Sequence, residues 1–302
     1  MKPTCALETR WTQRLRQREQ PSEAELRDHL LAVHRDRPGF TEACAGRCRD
    51  SNGRNSYQWL AEIVDPSRHR RVLDLACGSG LLTALCHEQC GDRIELVAVD
   101  MSPDELGLAQ QRVSDASVQF HHAMAQDMPF LADASIDVVL CHWALTLMDP
   151  VLPVLGEVRR VLRAGGVFSA IIDGELSAAP GYEAVHHLIY GWVQRECPGY
   201  GLSDMGDARV RTTASVATLV RDSFDGARVE IEPAVVSLHA APDVLAREAA
   251  GFFYASFALS PAAHAEMLAE LVSFFAARAS DGDGGFSMPI NRLSVRKQST
   301  NR

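Results

Sequence analysis

Between Arg71 and Asp173 short apolar runs alternate with amphipathic stretches. RVLDLAC (71–77), IELVAVD (94–100), SVQFHHA (117–123), IDVVLCHWAL (136–145) and VFSAIID (167–173) read as strands. Between them, 81–90, 103–113 and 151–162 carry apolar positions at helical spacing. Pro103 falls in a first helical turn, where a missing N–H is tolerated. Ala164-Gly-Gly166 follows the last helix as a stop. Strand and helix at this rhythm predict crossover units, and so a parallel sheet covered on both faces.

The flanks read differently. Residues 1–60 are polar and helical, with a capping-box pattern at Ser22-Glu-Ala-Glu25. Residues 38–57 are polar and turn-prone, and 56–64 reads as a short helix. After residue 175 the rhythm breaks. Helices are predicted at 181–196, 213–223, 242–259 and 261–278, with a strand pair or bent strand at 227–240. Asp281 to Gly285 is a turn, and 286–298 a final strand. The expected architecture is an α/β, Rossmann-like, seven-stranded, mostly parallel sheet with helices on both faces. A helical cap over 1–65 precedes the main domain, 66–302, and 175–226 is expected to be a substrate lid.

Composition changes the picture mainly by exclusion. The 302 residues are 46% hydrophobic and 23% charged, ordinary for a globular chain. No apolar run approaches the ~18 residues of a bilayer span, and the first twenty residues lack the apolar core of a secretory leader. A cytoplasmic location is the expectation. The net charge of -9 argues against nucleic acid and anionic membranes as partners. Arg10, Arg14, Arg16 and Arg18 are interleaved with Glu8 and Glu19, which reads as a solvated helix face. A small-molecule substrate is expected, with a homodimer the possible assembly. The eight cysteines are irregularly spaced and read as free thiols of a reducing compartment. Cys44/Cys48 and Cys86/Cys90 are both C-x3-C. Four such thiols could hold zinc, but i, i+4 spacing on a helix also suits buried small apolar residues, the reading adopted.

The sharpest motif is Leu73-Asp-Leu-Ala-Cys-Gly-Ser-Gly80, a strand that runs into Gly-x-Gly at a helix start. Twenty residues later Asp100 ends the next strand, where an acidic side chain can take both hydroxyls of a ribose. A dinucleotide site wants a third glycine, and Thr83 stands there instead. The segment VLDLACGSG (72–80) resembles the first motif of the class I S-adenosylmethionine (SAM)-dependent methyltransferases. VAVDMS (97–102), DMPF (127–130), IDVVL (136–140) and LRAGGVF (162–168) extend the resemblance in order. The resemblance implies that Ala76, Gly78 and Gly80 pass under the methionine part of SAM. It implies that Asp74 orients that loop and meets the ammonium side. Asp100 would hold the ribose and Met101 would pack on the adenine. The acidic residue that often follows the third strand is replaced by Ala123-Met124-Ala125, which leaves Asp127, with Met128, as the nearest substitute.

The acceptor is less legible. The Pro-Pro motif of nucleic-acid amine methyltransferases is absent; Cys141-His142-Trp143-Ala144 stands in its place. Segments 39–64, 139–149, 184–193 and the His239 region resemble the 2-oxo acid C-methyltransferases. That resemblance implies methylation at carbon 3 of a 2-oxo acid, with 5-guanidino-2-oxopentanoate as the suggested substrate, for a specialised amino acid or peptide natural product. Such chemistry suits a divalent metal of the zinc or iron class that stabilises an enolate. The candidate ligands are His142, His187 and His239, with His186 the alternative to His187. A substrate guanidinium would need a carboxylate, from Glu42, Asp50, Asp173 or Glu183. Two other readings stay open: a metal-independent O- or N-methyltransferase with His142 as general base, and a non-catalytic SAM-binding subunit.

Overall fold

The computed structural model describes residues 7–201, 205–280 and 282–298; Cys5 and Asp281 lie outside them. In chain order the helices and strands are α1 (Arg10–Arg16), α2 (Glu23–Asp36), α3 (Phe40–Ala45), α4 (Ser56–Ala61), β1 (Arg71–Leu75), α5 (Leu81–Cys90), β2 (Glu95–Asp100) and α6 (Pro103–Arg112). There follow β3 (Val118–His122), β4 (Ile136–His142), α7 (Val151–Val161), β5 (Leu162–Asp173), α8 (Tyr182–Glu196) and α9 (Thr213–Ser223). The chain closes with β6 (Val229–Ala240), α10 (Pro242–Phe252), α11 (Pro261–Ala276) and β7 (Gly284–Arg296). Pro103 opens α6, and Ser22 and Glu25 form the expected reciprocal capping box. Phe40–Ala45 is helical where turns were expected, because Phe40 packs edge-on against Tyr254 and Phe257. The expected helix 242–259 breaks at Phe253, and a short 3-10 turn follows. The segment 227–240 is one strand, β6, not a pair.

The chain divides into two compact units. One comprises residues 56–174, 205–234 and 290–302, the other 1–55, 175–204 and 235–289. The seven-stranded sheet has the order β3-β2-β1-β4-β5-β7-β6. β1 to β5 pair in parallel, and β7 runs antiparallel to β5. This is the expected Rossmann-like topology. Side chains alternate across the sheet with period two. Leu73, Leu75, Val97 and Val99 enter one core with α7 and α9, while Ala98 faces α6 through Leu106. Asp74, between Leu73 and Leu75, is therefore turned away from the first core. Asp137 anchors the opposite end of β1 by accepting the Arg71 N–H at 2.8 Å.

The unit boundaries differ from those expected in two places. α4 belongs with the sheet: Tyr57 stacks on His142, and the Arg292 guanidinium lies 4.7 Å over the Trp59 ring. The segment 175–226 is split, since residues 205–226 belong to the sheet unit. There Val216, Leu219 and Val220 of α9 are buried in the sheet's core, so this half of the expected lid is part of the fold's body.

The other unit is mostly helical. α10 packs on α11 and α3, and the Glu196 carboxylate accepts from Ser260 at the start of α11. At its centre His29 is fully buried, stacked on Trp11 with centroids 4.5 Å apart, its Nδ1 3.0 Å from Thr9 Oγ1. Burial pushes this imidazole down to about 4. In an unfolded chain it titrates near 6.5. Between those values the folded state binds fewer protons, so stability falls as pH drops through that window and is unaffected above it. About 3 kcal/mol is expected to be lost by pH 4 from this group. Urea unfolding at a series of pH values should show that slope, and His29→Phe should reduce it by this group's share.

Candidate functional site

The site is built at the C-terminal edge of the central strands. β1 ends in Leu75, and the backbone turns at once into left-handed geometry at Ala76 (φ 56), Gly78 (φ 52) and Gly80 (φ 79). Gly80 has a second reason to be glycine: a Cβ there would stand 2.8 Å from the Ala109 Cβ of α6. A Cβ on Gly78 would meet nothing nearer than the Glu105 carboxylate, at 3.8 Å. The loop thus leaves backbone open at one glycine and packs α6 against the other. α5 starts directly after Gly80, with no side-chain cap on its first amides.

Asp100 ends β2 beside this loop. Its Oδ2 accepts the Gly78 N–H at 2.8 Å, and its Oδ1 accepts the Ser102 N–H at 2.8 Å. One carboxylate therefore ties the first loop to the second, where Ser102 caps α6. Asp74 lies beneath the first loop, 2% exposed, with Thr83 Oγ1 donating to Oδ2 at 2.6 Å. Its Oδ1 is buried with no hydrogen-bond partner. Burial raises this carboxyl to about 7; the Thr83 bond opposes the shift and Asp100 adds to it. Met101 is half-buried, and its carbonyl accepts from His122 Nε2 at 2.9 Å. An open left-handed loop, an orphaned buried carboxylate oxygen and an acid ending β2 fit a ligand with a cationic amino-acid end and a ribose.

After β3 the outcome is divided. Asp127 is exposed. Met128 is fully buried in the core, so its side chain does not face the cofactor loop as expected. Its N–H donates to Glu157 Oε1 at 2.9 Å, and Arg160 holds both that carboxylate and the Met128 carbonyl. A staple from α7 thus sets this loop's height, a feature with no motif to announce it.

At the end of β4, His142 is half-buried, with its Nε2 2.8 Å from the Oγ of fully buried Ser56 and its ring stacked 3.5 Å from Tyr57. Burial pushes it down to about 3, so it is neutral. Trp143 follows in left-handed geometry (φ 58) and donates its Nε1–H to Asp173 Oδ1 at 2.6 Å. Asn291 donates to the Asp173 carbonyl at 3.1 Å and fixes the strand end. Burial raises the Asp173 carboxyl, and the Trp143 bond opposes it.

The expected metal ligands do not come together. Among the described residues no group of three His, Cys, Asp or Glu side chains is placed to hold a metal ion. The physical reason is local. The Nε2 of His142 is committed to Ser56, and His187 and His239 are both exposed. His186, the alternative, stacks on Tyr190 at 4.0 Å. The seven described cysteines are free and buried, as expected of apolar fillers. Of the expected guanidinium partners, Asp50 is held by Arg54 at 2.8 Å and Glu183 is exposed; Asp173 remains at the strand edge.

Comparison with known proteins agrees with this geometry. Residues 73–170 match the family described as "Methyltransferase domain". The demethylmenaquinone methyltransferase of Listeria monocytogenes is 30% identical over 142 residues, 45% of this chain. The chain spans 59% of that relative's length. A protein of Anaeromyxobacter dehalogenans assigned as a type II methyltransferase superposes with a TM-score of 0.55 at 25% identity, covering 83% of this chain and 98% of the other. Phosphoethanolamine N-methyltransferase 2 of Haemonchus contortus, solved with SAM, shares the fold at 17% identity and a TM-score of 0.53, over 91% of this chain and 60% of the other. Residues 73–170 thus resemble a methyltransferase domain, and that matched segment contains Asp74, the Gly78–Gly80 loop and Asp100. Asp100→Ala is expected to weaken SAM binding at least about tenfold, since charge-assisted bonds of this kind are worth about 1.5–3 kcal/mol. Titration calorimetry measures it, with circular dichroism to confirm the fold.

Proposed function

We propose that the protein transfers the methyl group of SAM to a small-molecule acceptor. The observation that carries this reading is the pair of loops joined by Asp100 above the buried Asp74. Bound SAM supplies an electrophilic methyl carbon on a sulfonium. The chain has to bind and orient, exclude water and accept the acceptor's proton. Gly78 and Asp100 hold the nucleoside side, and Asp74 the amino-acid side. The far edge, at the ends of β4 and β5, is the acceptor side.

Asp173 is the proton acceptor in this reading. Its Oδ1 is fixed by the Trp143 indole, and no hydrogen bond to Oδ2 is present among the described residues. A raised carboxyl is a better base than a free one. His142, first expected in that role, has its Nε2 taken by Ser56 and serves to shape the acceptor edge with Tyr57. Carbon 3 of a 2-oxo acid, suggested by the sequence resemblance, is one acceptor of this kind, since a base must first remove its proton to give the enolate that attacks the methyl. The Listeria relative's name points to another small molecule, demethylmenaquinone. Among the described residues the side chains do not form a metal-ligand set, so the reading assigns no role to a metal.

Transfer of labelled methyl from SAM should be measured against a panel of 2-oxo acids, amines and phenols. Turnover with one of them is expected, and Asp173→Asn should lower it at least about tenfold while SAM affinity stays unchanged. SAM binding without transfer to any acceptor would point instead to the non-catalytic subunit.

A further inference from the structure

Asp74 is enclosed by groups that give it almost no reason to be charged. Thr83 and Cys86 face it from α5, Cys77 from the loop after β1, Asp100 from β2 and Cys141 from β4. Glu105 of α6 stands against the same loop at Gly78. No cationic side chain faces Asp74 among the described residues. Its compensation comes only from Thr83, through the hydroxyl bonded to Oδ2 and a weaker backbone bond, while Oδ1 is buried with no partner. A carboxylate so placed, with a second carboxylate near it, is stabilised in its neutral form.

We propose that Asp74 is protonated in the cofactor-free protein and that binding of SAM expels this proton to solvent, so that SAM affinity rises with pH across the neutral range. The inference rests on the SAM-binding reading above. Its balance is simple: the Asp74 carboxyl loses one proton to buffer, and the carboxylate left behind faces the cationic cofactor. No bond in SAM changes. Burial raises this carboxyl to about 7, which places the transition where a small change in pH alters the fraction of protein ready to bind. The charge state also distinguishes donor from product. The sulfonium cation is lost on methyl transfer, and a site whose carboxylate is ionised holds the neutral thioether less well than SAM.

The test is titration calorimetry with SAM from pH 5.5 to 8.5 in two buffers of different ionisation heat. Release of about one proton per SAM is expected below pH 6, falling as pH rises, with affinity about tenfold weaker per pH unit below 6. Asp74→Asn keeps an acceptor for Thr83 and cannot titrate, so its low-pH release and slope should vanish. The α-amino group of SAM itself, which titrates at about 8, stays in that variant as the internal control. Thr83→Val removes the hydroxyl donor, the larger of the two Thr83 bonds, and should move the midpoint to higher pH. Wild-type affinity that is flat between pH 5.5 and 7.5 overturns the proposal, as does an Asn variant with the wild-type slope or a Val variant with an unmoved midpoint. Absence of SAM binding at every pH would instead overturn the SAM reading itself.

Discussion

The Asp100 carboxylate, shared between the Gly78 and Ser102 amides, is the constraint on which the site depends. Parallel strands end at one edge, and their loops have no ladder to hold them there. An anion that accepts from both loops replaces that ladder. It fixes the left-handed path of the first loop, whose glycine at 80 allows α6 to come within contact of the turn. The same carboxylate lies close enough to Asp74 to discourage a second charge. Loop geometry and the protonation of the site are thus linked through one side chain.

Around this centre the sheet divides its work between two edges. Toward β2 and β3 the polar groups serve the loops: His122 bonds the Met101 carbonyl, and the Glu157–Arg160 pair staples the loop at Met128. Toward β4 and β5 the groups are paired more sparingly. His142 is turned onto Ser56 and Tyr57, so its neutrality follows from burial, not from a proton-transfer role. Asp173 is clamped by an indole on one oxygen and by Asn291 at its backbone. A carboxyl held at one oxygen keeps its direction and still has an atom to offer, which is what proton transfer in a water-poor site requires.

The mostly helical unit achieves stability by different means. Its aromatic contacts, Trp11 on His29 and Phe40 on Tyr254, join helices that carry few long apolar runs. Gly199 lets the chain after α8 come close to the carbonyl of Leu15, where a Cβ would stand 2.6 Å from that oxygen. A buried neutral imidazole at this centre makes the unit sensitive to acid, as the neutral His142 does for the sheet unit.

Much of this was legible in the chain itself. Period-two and helical patterns between 71 and 173 fix strand and helix because one face of each must be buried, and VLDLACGSG with Asp100 marks the cofactor edge because a close backbone approach needs glycine. These signals are local, and local signals survive in a sequence. The acceptor side depends on pairs far apart in the chain: Ser56 with His142, Trp143 with Asp173, Met128 with Glu157. No spacing rule connects them, so His142 read as a ligand or base, and Asp173 as one carboxylate among four. The Nε2 of a histidine is free or spent according to what folds against it, and burial, not residue type, sets the charge of an acid. Those are properties of packing, and only the tertiary structure decided them.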